Sequence, residues 1–166
     1  LTVKGALEIA DTEKEDDAEL FLTGKLTAAS MQLTNADIML ANDLAAQGIT
    51  LTQNKDAAKQ LVLNTFTNSR VTAHGNMSVA GSLALVSSDI ALSDPAKGKN
   101  MGLTVKGDLS LKEHSAIVLT GGLNVASLQM VHSAITLTHA TPQSITLSDK
   151  NATNELSAST IDADAS

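Results

Sequence analysis

The chain has 166 residues and a formal net charge of −7, and it contains no Cys, Trp or Tyr. The negative charge argues against nucleic acid or an anionic membrane surface as a partner, and the lack of cysteine excludes disulfides and thiolate metal sites. The apolar content is 43% but includes only two aromatic residues, both Phe. We therefore expect one domain with an interior built from Leu, Ile, Val, Met and Ala alone. No apolar run reaches the roughly 18 residues of a membrane span.

Short triplets, in which two apolar residues flank any third residue, recur along almost the whole chain. This period of two places alternate side chains on one face of a strand, and Thr, Ser, Gln, Asn and Lys occupy the other face. In chain order the triplets are Leu1/Val3, Leu7/Ile9, Leu20/Leu22, Leu26/Ala28, Met31/Leu33, Ile38/Leu40, Ile49/Leu51, Leu61/Leu63, Met77/Val79, Leu83/Leu85, Ile90/Leu92, Leu103/Val105, Leu109/Leu111, Ile117/Leu119, Leu123/Val125, Leu128/Met130, Ile135/Leu137 and Ile145/Leu147. The pattern predicts an all-β chain.

The first 40 residues recur, in order, from about residue 103. Residues 18–40 match residues 115–137 without a gap, and the LTVKG of residues 1–5 returns at 103–107. Triplets that begin at 103, 109 and 117 recur at 123, 128 and 135, which are 20, 19 and 18 residues later. This period is typical of a parallel β-solenoid. We predict that residues 1–166 form a single right-handed parallel β-helix with three short strands per coil of about 20 residues. The register between residues 44 and 73 stays unassigned.

The third strand of each coil has a common spelling, a small or polar residue followed by x-Ile-x-Leu. It occurs in NADIML, SSDIAL, HSAIVL, HSAITL and PQSITL. The chain lacks the Asn-Gly or Asp-Gly turns and the aromatic cross-strand pairs of β-sandwiches, the longer block of leucine-rich repeats and the six-residue period of left-handed hexapeptide helices. These absences favour the right-handed solenoid over its rivals.

Two kinds of connection separate the triplets. The short ones place Gly24, Gly81, Gly107, Gly121 and Gly122 at corners, where we expect positive φ to turn the chain. Longer polar loops are predicted near residues 10–17, 52–60, 93–101, 138–143 and 148–155. Because the first three begin about 41 residues apart, we expect them to project from one edge of the stack.

The texture of these coils resembles the passenger stems of Gram-negative autotransporters, both pertactin-like and serine protease types. The residues that carry the resemblance are LTVKGDLSL, AIVLTGGLNVASLQM, SVAGSLALVSSDIAL and GITLTQNKDAAKQLVLN, and the same texture extends over nearly the whole chain. The resemblance implies export across the outer membrane, a secreted or cell-surface location, and an adhesive or effector-presenting role. Since Leu1 begins directly on a strand pattern, we expect a fragment of a longer passenger.

The serine protease branch carries a GDSGS motif that this chain lacks. The nearest string is GDLSLKEHS at residues 107–115. Its Asp108, Ser110 and His114 lie on successive strand and corner positions, so their side chains are expected to point apart rather than converge as a triad requires. We therefore predict no catalytic residue.

Four histidines and one acidic run are the candidate metal ligands. His114 and His132 each precede Ser-Ala-Ile, which predicts that they stack at equivalent corners one coil apart; His74 and His139 have no such partner. The pair is either half of a metal or pH-sensing site or an exposed ladder, and the lack of a third ligand favours the ladder. The run of Asp11, Glu13, Glu15, Asp16 and Asp17 could bind calcium, but it lacks the spacing of a known calcium loop. A solvated loop is the favoured interpretation. No metal and no cofactor are predicted.

Carboxylates that flank strands suggest a carbohydrate-active enzyme as one alternative. They are Glu8, Glu19, Asp37, Asp89 and Asp108. Glycosidases need paired acids, but a chain without Trp or Tyr has little on which to stack a sugar. Outward Thr, Ser and Asn could instead form ladders that bind another copy or a host glycan, or could simply suit the wet face of a strand.

The leading hypothesis is a non-catalytic structural stem, which acts as a spacer and presents loops or an effector domain outside the cell. The alternatives are an adhesin whose β-helix face binds itself or a host surface, and a carbohydrate-active enzyme. Expected partners are the rest of the same passenger, a host protein or glycan, or a second copy. Because open strand edges at both ends invite association, we expect the isolated fragment to aggregate unless neighbouring segments cover it.

Overall fold

The computed structural model describes residues 1–12, 17–40, 47–94, 100–138 and 143–163. These residues form strands, turns and irregular segments but no helix, and hence no helix that could cross a membrane. The strands, in chain order, are β1 (Ala6–Ala10), β2 (Ala18–Leu22), β3 (Leu26–Ala28), β4 (Ser30–Thr34), β5 (Ala36–Leu40), β6 (Ile49–Leu51), β7 (Leu63–Thr67), β8 (Arg70–Ala73), β9 (Met77–Val79), β10 (Ser82–Val86), β11 (Asp89–Leu92), β12 (Leu103–Lys112), β13 (Ala116–Leu119), β14 (Leu123–Val131), β15 (Ala134–Leu137), β16 (Ile145–Leu147), β17 (Glu155–Ser157) and β18 (Thr160–Ala163).

All pairings between these strands are parallel, which confirms the prediction of an all-β chain with parallel strands. The strands form an 11-stranded sheet and a 7-stranded sheet. The larger sheet has two rows of strands, and the long strands β12 and β14 run through both rows. The 7-stranded sheet is a third row, and we call each of the three rows a column. Column 1 contains β3, β6, β9, the start of β12, the start of β14, and β16; column 2 contains β1, β4, β7, β10, the ends of β12 and β14, and β17; column 3 is the 7-stranded sheet.

The chain visits columns 1, 2 and 3 in turn and then returns to column 1. We call one such passage a rung, so that β3, β4 and β5 form rung 2 and β16, β17 and β18 form rung 7. Leu103 pairs with Leu123, Leu109 with Leu128, and Ile117 with Ile135. The repeat spacings of 20, 19 and 18 residues are therefore confirmed in this part of the chain. Elsewhere insertions lengthen the repeat, and Asp37 pairs with Arg70, 33 residues later.

The two matching sequence segments occupy equivalent places in the columns. Residues 18–40 run through columns 3, 1, 2 and 3 as β2 to β5, and residues 115–137 follow the same path through β13, β14 and β15. Thr2 bridges Thr27 in column 1 just before β1 enters column 2, as β12 does for the matching residues 103–111. The two matching sequence segments therefore follow the same path through the columns in different rungs.

Inward-facing aliphatic side chains from successive rungs form one continuous core. The alternation of buried and exposed residues along the strands matches the predicted triplets over most of the chain. The prediction of a core without aromatic residues is wrong at one position, because Phe66 is fully buried there. The other phenylalanine, Phe21, is 63% exposed.

The triplet Leu61/Leu63 is a second error, because both side chains face outward. Leu61 is 41% exposed and Leu63 is 52% exposed, whereas Asn64 and Phe66 take the inward positions of β7. The spelling PQSITL was also assigned to the wrong column. Its Ile145 begins β16 in column 1, and the third strand of rung 7 is β18. An apolar triplet alone does not distinguish one column from another.

Asn64 restores the hydrogen-bond ladder after the insertion of residues 52–62. Its Oδ1 accepts the Met31 N–H at 2.9 Å and its Nδ2 donates to the Ser82 carbonyl at 3.0 Å. Rung 7 has an insertion at the same corner, and there Asn154 Oδ1 accepts the Leu128 N–H at 2.7 Å. In both rungs an asparagine side chain thus replaces the backbone partner that the insertion displaces.

The corner between columns 2 and 3 turns through residues other than glycine. Positive φ occurs there at Asn35, Asn68, Ser87, His114 and His132, with values between 47° and 65°. Within the described segments no glycine has positive φ. The predicted role of the glycines is therefore wrong, since a different residue of each rung provides the left-handed turn.

Gly81, Gly107, Gly121 and Gly122 instead sit where the backbones of neighbouring rungs approach closely. A Cβ at Gly121 would lie 2.7 Å from the Met101 carbonyl carbon and 2.9 Å from the Gly102 nitrogen. Gly24 differs, because a Cβ there would meet nothing within 4 Å. Absence of a side chain, rather than backbone freedom, explains the first four positions.

These contacts predict opposite outcomes for two glycine substitutions. Gly121→Ala should lower the free energy of unfolding by about 1–3 kcal/mol, because the added methyl group overlaps backbone that cannot rotate away. Gly24→Ala should be neutral or stabilise by about 0.4–1 kcal/mol, through lower entropy of the unfolded chain. Urea unfolding of both variants measures the difference, and equal midpoints would contradict the close approach at Gly121.

Directly after the positive-φ residue, a buried serine column lines the same corner. Its members are Ser69, Ser88, Ser115 and Ser133, which are at most 6% exposed. The Ser88 hydroxyl donates to the Val86 carbonyl at 2.8 Å and accepts the Ser69 N–H at 3.0 Å. The hydroxyls of Ser69, Ser88 and Ser115 thus each join two rungs, which explains the small polar residue at the start of the third-strand spelling.

The polar loops leave the stack at different corners and not at one edge. Residues 11–17 join columns 2 and 3, residues 52–62 join columns 1 and 2, and residues 93–102 join columns 3 and 1. Residues 13–16, 95–99 and 139–142 lie outside the described residues. In the 52–62 loop, Lys55 and Leu61 form an antiparallel bridge, and Asp56 Oδ1 accepts the Gln60 N–H at 2.9 Å.

Candidate functional site

The corner at His114 and His132 is the site that best combines exposure with chemistry-bearing side chains. The prediction that these histidines meet is confirmed: their ring centres are 6.2 Å apart and their planes are inclined at 40°. The His114 N–H donates to the His132 carbonyl at 2.7 Å. Both residues have positive φ, 65° and 49°, which turns each side chain outward at the corner.

A shallow groove of about 280 Å³ opens beside the two rings. Small side chains line it, among them Ala116, Ala134 and Ala158. Ala158 occupies in rung 7 the corner position of the histidines, with φ 46°, and the His132 N–H donates to the Ser157 carbonyl before it at 3.0 Å. The groove therefore follows the corner along the stack from rung 5 to rung 7.

The other candidate metal ligands are not brought close to the two histidines, since Asp11 and Asp17 lie at the same corner but in rung 1, four rungs before His114. His74 follows β8 at the corner between columns 3 and 1, and His139 lies outside the described residues. Of the acidic run, Glu13, Glu15 and Asp16 also lie outside them. Among the residues that the structure does describe, no three His, Asp or Glu side chains gather where they could hold one metal ion.

The predicted carboxylates are spread over two columns, and three of them engage neighbouring strands. Asp37 Oδ1 accepts the Arg70 N–H at 3.1 Å, and its other oxygen lies 3.9 Å from the Arg70 guanidinium. Asp89 Oδ1 accepts the Ala116 N–H at 3.2 Å. Glu19 pairs in register with Asp37 on the outer face of column 3, whereas Glu8 lies on column 2. These bonds give Asp37 and Asp89 a role in joining strands.

Asp108 likewise binds the next rung rather than its neighbours in the GDLSLKEHS string. Its Oδ1 accepts the Ser127 hydroxyl at 2.5 Å. Ser110 lies on the outer face of column 2, and His114 lies at the following corner. The structure thus separates the three side chains.

Polar side chains cover the outer face of column 1 in every rung. In register order they are Thr2, Thr27, Thr50, Ser78, Thr104, Asn124 and Thr146. This row is the polar ladder that the sequence suggested, with one hydroxyl or amide for each rung. The outer face of column 3 differs, because Phe21 and the 37% exposed Met39 lie side by side there.

Sequence reasoning did not identify Asn64 or the serine column. Both sit in buried places where a polar side chain is unexpected, and only their partners in adjacent rungs explain them. Exposed Phe21 was also missed, since it alternates with core residues in β2. No protein-family model, curated protein or solved structure matches this chain.

Proposed function

We propose that the chain is a right-handed parallel β-helix in which each rung is one coil, and that it serves as a non-catalytic stem. The right hand rests on the strong preference of parallel crossover connections for that sense. The in-register columns and the continuous aliphatic core support the stacking of coils. In such a stack each coil is stabilised by its neighbours, so length is gained by adding coils.

One observation carries the stem function: three of the carboxylates that sequence reasoning put forward for chemistry are used to join rungs. Asp37, Asp89 and Asp108 all bind groups of the following rung. From inside, Asn64 donates to the following rung, and the Ser88 hydroxyl accepts from the preceding one. The resemblance of the coils to autotransporter passengers supports the second part of the proposal. In it, the chain is exported and displayed at the cell surface, where it presents the polar loops and any attached domain outward.

Surface display tests this proposal. The chain is fused ahead of an outer-membrane translocator in a Gram-negative host, and added protease and antibody then probe intact cells. We expect the segment to become accessible at the surface, and a Phe66→Asp variant to be exported but digested faster. Retention of the unaltered segment in the periplasm would contradict a role in an exported passenger.

The row of polar side chains on column 1 favours a second candidate, an adhesin that binds a copy of itself. Seven rungs present a hydroxyl or amide on one face, a regular array that another copy could match. The same displaying cells distinguish the two functions. Clumping that disappears in Thr50→Lys and Thr104→Lys cells would favour the adhesin, whereas display without clumping favours the stem.

A further inference from the structure

We propose that His114 and His132 together bind one divalent transition-metal ion at the corner between columns 2 and 3. Neutral imidazole suits Zn²⁺, Cu²⁺ and Ni²⁺. Two protein nitrogens leave the remaining coordination positions to water. The inference does not depend on the proposed stem function.

The backbone holds the two histidines at a fixed separation. The His114 N–H bonds to the His132 carbonyl, and immediately afterwards Ala116 pairs with Ala134 in column 3. Neighbouring strands lie about 4.8 Å apart, and the backbones of the two histidines are held at about this separation. Little ordering of the backbone remains to be done when an ion binds, which favours affinity.

The ring positions are close to those of a chelating pair. With metal–nitrogen bonds of about 2.0–2.1 Å, two imidazoles on a tetrahedral ion have centres roughly 5 Å apart. The observed separation is 6.2 Å. Both rings are exposed, so small rotations about the side-chain bonds can close the difference within the staggered wells.

The surroundings leave room for a hydrated cation and place no fixed positive charge in the groove. Its lining consists of the histidines together with Ser, Ala and Thr side chains. Glu113 precedes His114, and its carboxylate approaches the Ser87 hydroxyl at 3.4 Å. The net charge of −7 further favours cations over anions.

Calorimetric titration of the untagged chain with Zn²⁺ tests the site. We expect one ion per chain. His114→Asn and His132→Asn should each weaken binding by about tenfold or more, since even the loss of a group that hydrogen-bonds to a metal ligand lowers metal affinity by about 10–100-fold. Asparagine suits both positions because Asn35 and Asn68 adopt the same positive φ at this corner. His74→Asn and His139→Asn are the matched controls and should bind as the unaltered chain does.

A second pair of variants tests the site by gain of binding. Ala158→His adds a third imidazole to the same row and should tighten Zn²⁺ binding by about tenfold or more. Asn68→His places an imidazole at the same corner two rungs before His114, between Asn35 and Ser87, and should change nothing. Unaltered affinity in His114→Asn and His132→Asn, one ion shared between two chains, or equal gains from Ala158→His and Asn68→His would overturn the proposal.

Discussion

Replacing Phe66 with alanine is expected to lower the free energy of unfolding by about 3–5 kcal/mol. Phe66 is fully buried in β7, between Leu33 of rung 2 and Leu85 of rung 4. The loss combines the transfer of the ring with the cavity left between two rungs that the backbone ladder keeps apart. Urea unfolding followed by circular dichroism measures it.

The second phenylalanine supplies the control. Phe21 lies in β2 with 63% of its surface exposed, so Phe21→Ala should change the free energy of unfolding by no more than about 0.5 kcal/mol. Identical chemistry is removed at both positions, and only burial differs. Similar losses in the two variants would mean that β7 does not face the core as described.

Asn64→Ala is expected to be the second costly substitution. It leaves the Met31 N–H and the Ser82 carbonyl without their partners in a buried place, at about 1–3 kcal/mol for each orphaned group. We also expect faster amide exchange at Met31, because its bond to Asn64 no longer protects it. Hydrogen exchange and urea unfolding together measure the two effects.

A matched asparagine separates this effect from a general response to the loss of an amide. Asn124 lies on the exposed outer face of column 1. Asn124→Ala should stay within about 0.5 kcal/mol of the unaltered chain. A neutral Asn64→Ala variant would show that the ladder survives without the side-chain bridge.

The strands were predictable because a strand with one buried face carries a period of two, and because stacked rungs repeat that period at equivalent positions. The repeat spacing therefore predicted which residues of the next rung pair with Leu103, Leu109 and Ile117. Leu61 and Leu63 were misassigned for a physical reason. They carry the same local pattern, but Leu61 belongs to the insertion and Leu63 directly follows it, and the inward positions of β7 are taken by Asn64 and Phe66.

The corners were less predictable than the strands. Positive φ suggests glycine, yet here Asn, Ser and His adopt it while glycines fill the places of close approach between rungs. That distinction depends on atoms of another rung, which local sequence does not contain. At the candidate site, the shared Ser-Ala-Ile located His114 and His132 one above the other, but the 6.2 Å ring separation and the groove follow from the backbone bonds between rungs.

Asn64 and Asn154 have a consequence for how such a chain can change over time. Each closes the ladder immediately after an insertion, so the stacking of rungs is uncoupled from what the insertion contains. The entropy of closing a loop rises only slowly with its length. We therefore expect that residues 55–61 can be exchanged for foreign peptides of different length while the flanking strands keep their register, because Gln53 and Val62 on either side bond to neighbouring rungs. We therefore expect the corner between columns 1 and 2 to be the place where insertions of varied sequence are tolerated. An asparagine at the first inward position of column 2 indicates such an insertion in the sequence.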